Sequence, residues 1–369
     1  MNSQTDLYIG LMSGTSLDGI DGVLATIDSG GSPSVLERSH IPYPPQLRKQ
    51  LLELHHAGRD ELHTAALLSN EMARLASQVV RQLLQRSSKT PREIAAIGSH
   101  GQTIRHRPEL GYTLQLNAPA LLAELTGIGV VADFRSRDIA AGGQGAPLVP
   151  AFHAQLFKHH MPCVILNLGG IANVTILSPE QVPVGFDTGP ANMLMDAWCE
   201  MHTGKAFDEN GDWGASGQPN QRLLEQLIAA EPWFSQPAPK STGRDMFNLQ
   251  WLLSQLETFA AALKPEDVQA TLQHLTAKTV LDALAAAGIR KPVIYVCGGG
   301  AKNRRLLEIL VELGATTAVP TDTLGVPAMD VEATAFAWLA WAFVHGKPGN
   351  LPQVTGASGP RVLGAYWPA

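Results

Sequence analysis

Leu7-Tyr8-Ile9-Gly10-Leu11-Met12 is a short apolar run of β type, Ser13-Gly14-Thr15-Ser16-Leu17-Asp18-Gly19-Ile20-Asp21-Gly22 interrupts it, and Val23-Leu24-Ala25-Thr26-Ile27 resumes it. Small and polar residues between two β-favouring runs predict strand, tight turn, strand. A related arrangement returns about 155 residues later, where Cys163-Val164-Ile165-Leu166-Asn167-Leu168 meets Gly169-Gly170-Ile171-Ala172-Asn173 and leaves through Val174-Thr175-Ile176-Leu177. Two such hairpins, one opening each half of the chain, predict a duplicated fold.

Helical and strand patterns fill the space between and after them. Leu67, Leu68, Met72, Leu75, Val79 and Leu83 recur at helical spacing between Thr64 and Arg86, the stripe of a helix packed on a core. Ile94 to Ile97 and Val130 to Ala132 read as buried strands, with a helix from Ala118 to Gly127 between them. The second half predicts a strand from Pro183 to Phe186, a helix from Ala191 to about Met201, and a loop-rich stretch from Thr203 to about Thr242. A helix from Glu266 to Ala287, a strand from Val293 to Val296, a helix from Asn303 to Leu313 and a last helix from about Asp330 to Val344 complete it. Strands alternating with helices make this an α/β protein with mixed sheets.

Composition narrows the function. With 45% hydrophobic and 16% charged residues, the 369-residue chain can bury a large core, and its length suggests two domains. Its 27 Lys and Arg against 33 Asp and Glu leave a net charge of −6, which argues against a nucleic-acid partner. No apolar run reaches about 18 residues and the first residues lack a signal-peptide pattern, so a soluble, cytoplasmic protein without membrane contact is expected. Cys163, Cys199 and Cys297 form neither a disulfide ladder nor a C-x-x-C pair, and the histidines show no ligand spacing. The 35 glycines exceed the usual share of about 7%. They cluster at ends of apolar runs, which reads as the outline of a ligand cleft, with Gly10 among those flanking a nucleotide and Gly98 among those near a sugar.

Backbone binding of an anion needs consecutive small residues at a turn, and Ser13 to Ser16 and Gly169-Gly170 both qualify. Asp18 and Asp21 beside the first loop make sense mainly if Mg²⁺ bridges them to a phosphate; the alternative is a pair of ordinary capped hairpins. Cys297-Gly298-Gly299-Gly300-Ala301-Lys302-Asn303 lies between a strand and a helix and suits an adenosine or a pyrophosphate, or is a plain tight turn. Asp187 ends an apolar strand and is followed by Thr188-Gly189-Pro190, as a general base at a cleft or as a helix cap. Ser99, His100, Gln102 and Thr103 offer hydrogen bonds to a small polar substrate. Arg135 and Arg137, on extended backbone, would clamp a carboxylate from one side or be surface arginines. No G-x-S-x-G elbow and no P-loop sequence is present.

These motifs resemble the bacterial anhydro-N-acetylmuramic acid kinases. The likeness is carried by residues 10–19, 98–103, 132–135, 142–150, 167–173 and 185–190, by Lys240-Ser241-Thr242-Gly243-Arg244 and by residues 297–300, nearly end to end. It implies the duplicated sugar kinase/actin/Hsp70-like (ribonuclease H-like) fold, two domains with mixed central sheets and an interdomain cleft, divided near residues 1–145 and 146–369. It implies a kinase that takes ATP, with Mg²⁺, and 1,6-anhydro-N-acetylmuramic acid. Water opens the anhydro ring and O6 is phosphorylated, giving N-acetylmuramic acid 6-phosphate and ADP in peptidoglycan recycling. On the matching positions Asp187 is the base that activates water. Gly14, Thr15, Ser16, Leu17, Asp18, Gly19, Ile20 and Asp21 form the phosphate loop, with Asp18 toward the metal. Gly169, Gly170, Gly298, Gly299, Gly300 and Asn303 complete the ATP site. Ser99, His100, Gln102, Thr103, Arg135 and Glu332 meet the sugar, Arg135 at its lactyl carboxylate. A homodimer is also implied. A kinase for another amino sugar and a nucleotide-gated scaffold without small-molecule chemistry are the competing readings; a sugar-dependent ATP turnover separates them.

Overall fold

The structure is a computed structural model that describes residues 5–14, 17–243 and 246–369. The first hairpin forms as its sequence predicts. β1 (Asp6–Met12), β2 (Gly19–Ile27) and β3 (Pro33–Pro42) run antiparallel in succession. β4 (Ile94–Ser99) joins β1 in parallel on the other side, β5 (Gln102–Arg107) and β6 (Tyr112–Leu116) make a separate hairpin, and β7 (Val130–Ala132) pairs in parallel with β4. The spatial order is therefore β3-β2-β1-β4-β7. The second sheet repeats this order and sense with β8 (Cys163–Leu168), β9 (Ile171–Ser178), β10 (Gln181–Pro190), β11 (Val293–Cys297) and β12 (Thr317–Pro320), arranged β10-β9-β8-β11-β12. Three antiparallel strands followed by two parallel ones, twice, is the duplicated ribonuclease H-like fold. A last strand, β13 (Ala365–Trp367), extends the first sheet antiparallel to β7.

The chain divides into two compact units, Met1–Lys158 with Asp330–Ala369, and His159–Met329. The division expected near residue 145 thus falls short of the Val149–Leu156 helix, which stays with the first unit. The final helix also returns to it. Val331–Val344 is apolar around its whole circumference and almost wholly buried, as a helix must be when both faces meet protein. It lies on β1, β2 and β4. Gly10 and Gly98, register partners on β1 and β4, allow that approach: a Cβ on Gly10 would strike the Ala333 carbonyl, and one on Gly98 the Phe336 carbonyl. These two glycines therefore serve helix-on-sheet packing, which corrects their assignment to the surroundings of a ligand.

Other local readings hold with shifts. The Glu61–Ser87 helix buries Leu68, Met72, Val79 and Leu83, while Leu67, counted in the stripe, is 55% exposed. The stretch from Thr203, expected to be loop-rich, contains the helix Gln221–Ala229, started by Asn220, whose Oδ1 accepts the Leu223 N–H at 3.0 Å. Pro265–Ala286 is helical, and no described helix is long and apolar enough to cross a membrane.

Candidate functional site

In the first unit, several of the polar residues named above join one hydrogen-bonded chain. Ser13, past the end of β1, is buried, and its Oγ lies 2.6 Å from the Tyr43 hydroxyl and donates to Gln102 Oε1. His100 lies over Ser13, its Nδ1 3.4 Å from the Ser13 carbonyl. Arg135 points Nε and Nη2 at the other ring nitrogen, at 3.1 and 2.9 Å, and gives an Nη1 hydrogen to the Gly145 carbonyl at 2.8 Å. A guanidinium only donates, so Nε2 of His100 is the acceptor and its proton is assigned to Nδ1. Burial, and after it the Arg135 charge, push the His100 pKa down to about 3. The ring is neutral near pH 7, packed against Phe336 with centroids 4.7 Å apart.

The chain continues into a buried anchor. Asp138, fully buried, accepts the Gly145 N–H at 2.8 Å on one oxygen, and Asn350 Nδ2 at 2.6 Å and Thr355 Oγ1 at 2.7 Å on the other. This carboxylate holds the glycine-rich segment whose Gly145 carbonyl orients Arg135. Arg137 does not join Arg135: residues Ser136–Ala140 form a helix, where positions two apart diverge by about 200°, and Arg137 is exposed. Ser99 pairs with Asn117, and Thr103 Oγ1 accepts from Gln115 Nε2 at 3.2 Å. Glu332 is half-buried in the first turn of the Val331–Val344 helix, next to the residue whose carbonyl crosses Gly10.

The β1–β2 turn is described only in part, since Thr15 and Ser16 lie outside the described residues. Leu17 is fully buried with φ +56°, and its N–H donates to the Gly14 carbonyl at 3.3 Å. A bulky residue in the left-handed region costs of order 1 kcal/mol, strain that collects at ligand-binding turns. Leu17 and Ile20 point into the core, so only their backbone can face an anion. Gly19 is pressed against the Ile41 carbonyl of β3. Asp21 lies inside β2, its carboxylate 2.8 Å from His40 Nδ1, whereas Asp18 is exposed at the turn and anchored by its carbonyl to the Tyr43 N–H at 3.0 Å. Of the two carboxylates, Asp18 is the exposed one.

In the second unit, Asp187 is not a helix cap. β10 runs on to Pro190, and the next helix, Asn192–Thr203, begins after Ala191. Asp187 opposes Asn173 of β9 but Gly189 opposes Ala172, so the ladder skips at this point. Its N–H donates to the Lys240 carbonyl at 3.1 Å, and its Oδ2 accepts the Thr242 N–H at 2.9 Å. The Lys240 ammonium sits 4.4 Å above the Trp233 ring; burial lowers its pKa and the Asp187 carboxylate opposes that shift.

The glycine turns of this unit lie beside the β8 end. Gly169 and Gly170 accept through their carbonyls from Asn192, Ala191 and Met193 at the start of the Asn192–Thr203 helix. Gly298 has φ +78°, and a Cβ there would meet Asn167 Oδ1. Gly300 is packed as tightly on Leu168. Asn303 caps the Arg304–Glu312 helix, its Oδ1 accepting the Leu306 N–H at 3.0 Å. Among the described residues no group of three His, Cys, Asp or Glu side chains is arranged to hold a metal.

Tyr43, Asn117, Asp138, Asn350 and Thr355 escaped the sequence reading. All bond across at least 18 positions of sequence, and no local pattern announces them.

The chain matches the family model for anhydro-N-acetylmuramic acid kinase over residues 6–369. A protein of that name from Bordetella petrii is 58% identical over 364 residues, 98% of this chain and 96% of its own length. One from Chromobacterium violaceum is 50% identical over 366 residues, 99% and 100% of the two chains. Among solved structures, an activator of 2-hydroxyisocaproyl-CoA dehydratase from Clostridium difficile aligns with TM-score 0.49 at 13% identity, over 92% of this chain and 96% of its own.

Proposed function

Because the chain belongs to the anhydro-N-acetylmuramic acid kinase family, we propose that it opens 1,6-anhydro-N-acetylmuramic acid with water and transfers the γ-phosphoryl group of ATP to O6. The products are N-acetylmuramic acid 6-phosphate and ADP. The full-length match at 58% identity carries this reading, and the built polar groups of both units support the division of labour.

Asp187 accepts a proton from the attacking water, whose oxygen bonds to the anomeric carbon as the C1–O6 bond breaks. The departing O6 takes the γ-phosphoryl group, and ADP leaves. Capture of the leaving oxygen by phosphorus replaces the protonation that an ordinary glycosidase obtains from a second carboxylic acid, so one carboxylate base suffices. The Thr242 amide on Oδ2 holds that base in one orientation. Backbone of the Gly14 to Asp21 turn, Gly169 and Gly170 cradles phosphates, while Gly298, Gly299, Gly300 and Asn303 receive the nucleoside end. Mg²⁺ held at Asp18 would neutralise charge on the phosphates. Arg135 meets the lactyl carboxylate, and Ser99, His100, Gln102, Thr103 and Glu332 the remaining sugar polar groups. A neutral His100 can orient Arg135 without adding a competing charge.

Purified protein given Mg²⁺, ATP and the anhydro sugar should release ADP only when the sugar is present; no sugar-dependent release overturns the reading. In ¹⁸O-labelled water the label should appear at C1 of the product.

A further inference from the structure

Lys240 belongs to a stretch of polar residues, Lys240 to Thr242, and the reaction scheme leaves its side chain without a task, yet the stretch touches the residue that scheme depends on most. At Asp187 the β9–β10 ladder skips, and a residue at such a skip is re-aimed while losing the ladder's hold. Its restraint comes from outside the sheet. The Lys240 carbonyl accepts its N–H, and the Thr242 N–H donates to its carboxylate. Residues 236–243 have no regular secondary structure, so something else must fix the segment. Lys240 Nζ donates to the Phe234 carbonyl at 2.8 Å and reaches the Trp233 carbonyl at 3.4 Å, with the Trp233 ring beneath it. Trp233 Nε1 in turn donates to the Ser241 carbonyl at 3.2 Å. Phe234, from the same short helix Pro232–Ser235, lies against Gly189, where a Cβ would come within 2.8 Å of its ring. A compact ammonium with three donors suits two carbonyls and a ring face, and a thioether or an alkyl chain would supply none of these bonds.

We propose that Lys240 is a positioning residue: by pinning residues 240–242 to the Pro232–Ser235 helix, its ammonium aims the carboxylate of Asp187. The proposal rests on the reading of Asp187 as the base given above. It acts through Asp187 and not through the nucleotide, so its loss lowers the rate of chemistry and leaves nucleotide affinity alone.

The test uses the full chain and two readouts. Lys240→Met should lower sugar-dependent kcat roughly 10- to 100-fold, the range expected when a reacting group is displaced by about 1 Å, with the KM for ATP unchanged. In hydrogen exchange the Asp187 and Thr242 amides should lose protection in parallel. Lys240→Arg, which keeps the cation, should restore most of both. Unchanged protection of the Thr242 amide, or a raised KM for ATP with steady kcat, overturns the proposal. Should Lys240→Met fail to fold, Trp233→Phe, which removes only the indole donor to Ser241 and keeps the ring face, must loosen the same two amides to a smaller degree; if it does not, the proposal falls. Wild-type turnover in Asp187→Asn would defeat the role of Asp187 as base, while the amide protection still reports whether Lys240 holds the segment.

Discussion

Glycine does two different things in two sheets of the same topology. In the first, Gly10 and Gly98 lie side by side within β1 and β4, and the backbone of the Val331–Val344 helix presses onto them. In the second, β8 and β11 carry side chains along their length, and Gly169, Gly170, Gly298 and Gly300 stand just past the strand ends. Glycines inside strands bring two backbones together, whereas those past strand ends let the chain turn, Gly298 at φ +78°, and Gly169 has no atom closer than 3.6 Å to where a Cβ would stand. The abundance of glycine thus has two causes, and the residue count alone does not separate them.

The largest expected effect concerns the second unit. Asp187→Asn should cut sugar-dependent turnover by about 10²- to 10⁴-fold, the worth of a general base, and leave nucleotide binding measurable by calorimetry. If turnover persists near the wild-type rate, the division between a chemical second unit and a holding first unit breaks.

Next in size is a test of the packing glycines. Gly98→Val should destabilise the protein by about 3 kcal/mol or more, since the obstruction is backbone that cannot rotate away. Gly169→Ala, where the new Cβ would lie 3.6 Å from the Ile171 carbonyl, should leave the melting temperature within a few degrees and weaken ATP binding instead. Equal loss of stability in both variants would erase the distinction.

The third concerns acid. His100 in the folded protein has its pKa depressed to about 3, so on unfolding it regains the ordinary tendency to protonate below about 6.5. The unfolded state then binds more protons, and the stability this neutral ring supports is lost as pH falls from about 6.5 toward 3, by at most about 1.4 kcal/mol per pH unit. His153, buried in the same unit with its pKa also lowered to about 3, adds to the slope. Thermal melts from pH 7 to 5 should therefore fall more steeply for the wild type than for His100→Gln; parallel curves would remove His100 from the account.

Smallest is the cap at Asn303. Asn303→Ala should cost about 1 kcal/mol through the lost bond to Leu306, read as a lower melting temperature. Asn303→Asp keeps the capping oxygen and should hold that temperature, yet raise the KM for ATP by placing an anion where the amide is proposed to meet the nucleotide.

Much of the fold was legible because it is local. The short apolar runs of β1, β2, β8 and β9 and the small residues between them announce hairpins by local sequence alone. Asp187 stood out at the end of an apolar run for the same reason, though the run's extension to Pro190, which excludes capping, depends on pairing with β9. Arg135 shows the limit of local spacing: the extended backbone expected beside Arg137 is a short helix, and the Arg135 guanidinium meets His100 instead.

By itself the sequence determined the two hairpin repeats, the alternation of strands with helices, the residues eligible for chemistry and, through the order of its motifs, the family. Tertiary structure alone decided that the last helix belongs to the first sheet, that Gly10 and Gly98 are places of contact, and that Lys240 and Thr242 hold Asp187. Those facts join residues tens to hundreds of positions apart. Local periodicity reports what a segment can bury and which bonds it can make, but the partner that completes each bond exists only once the chain has folded.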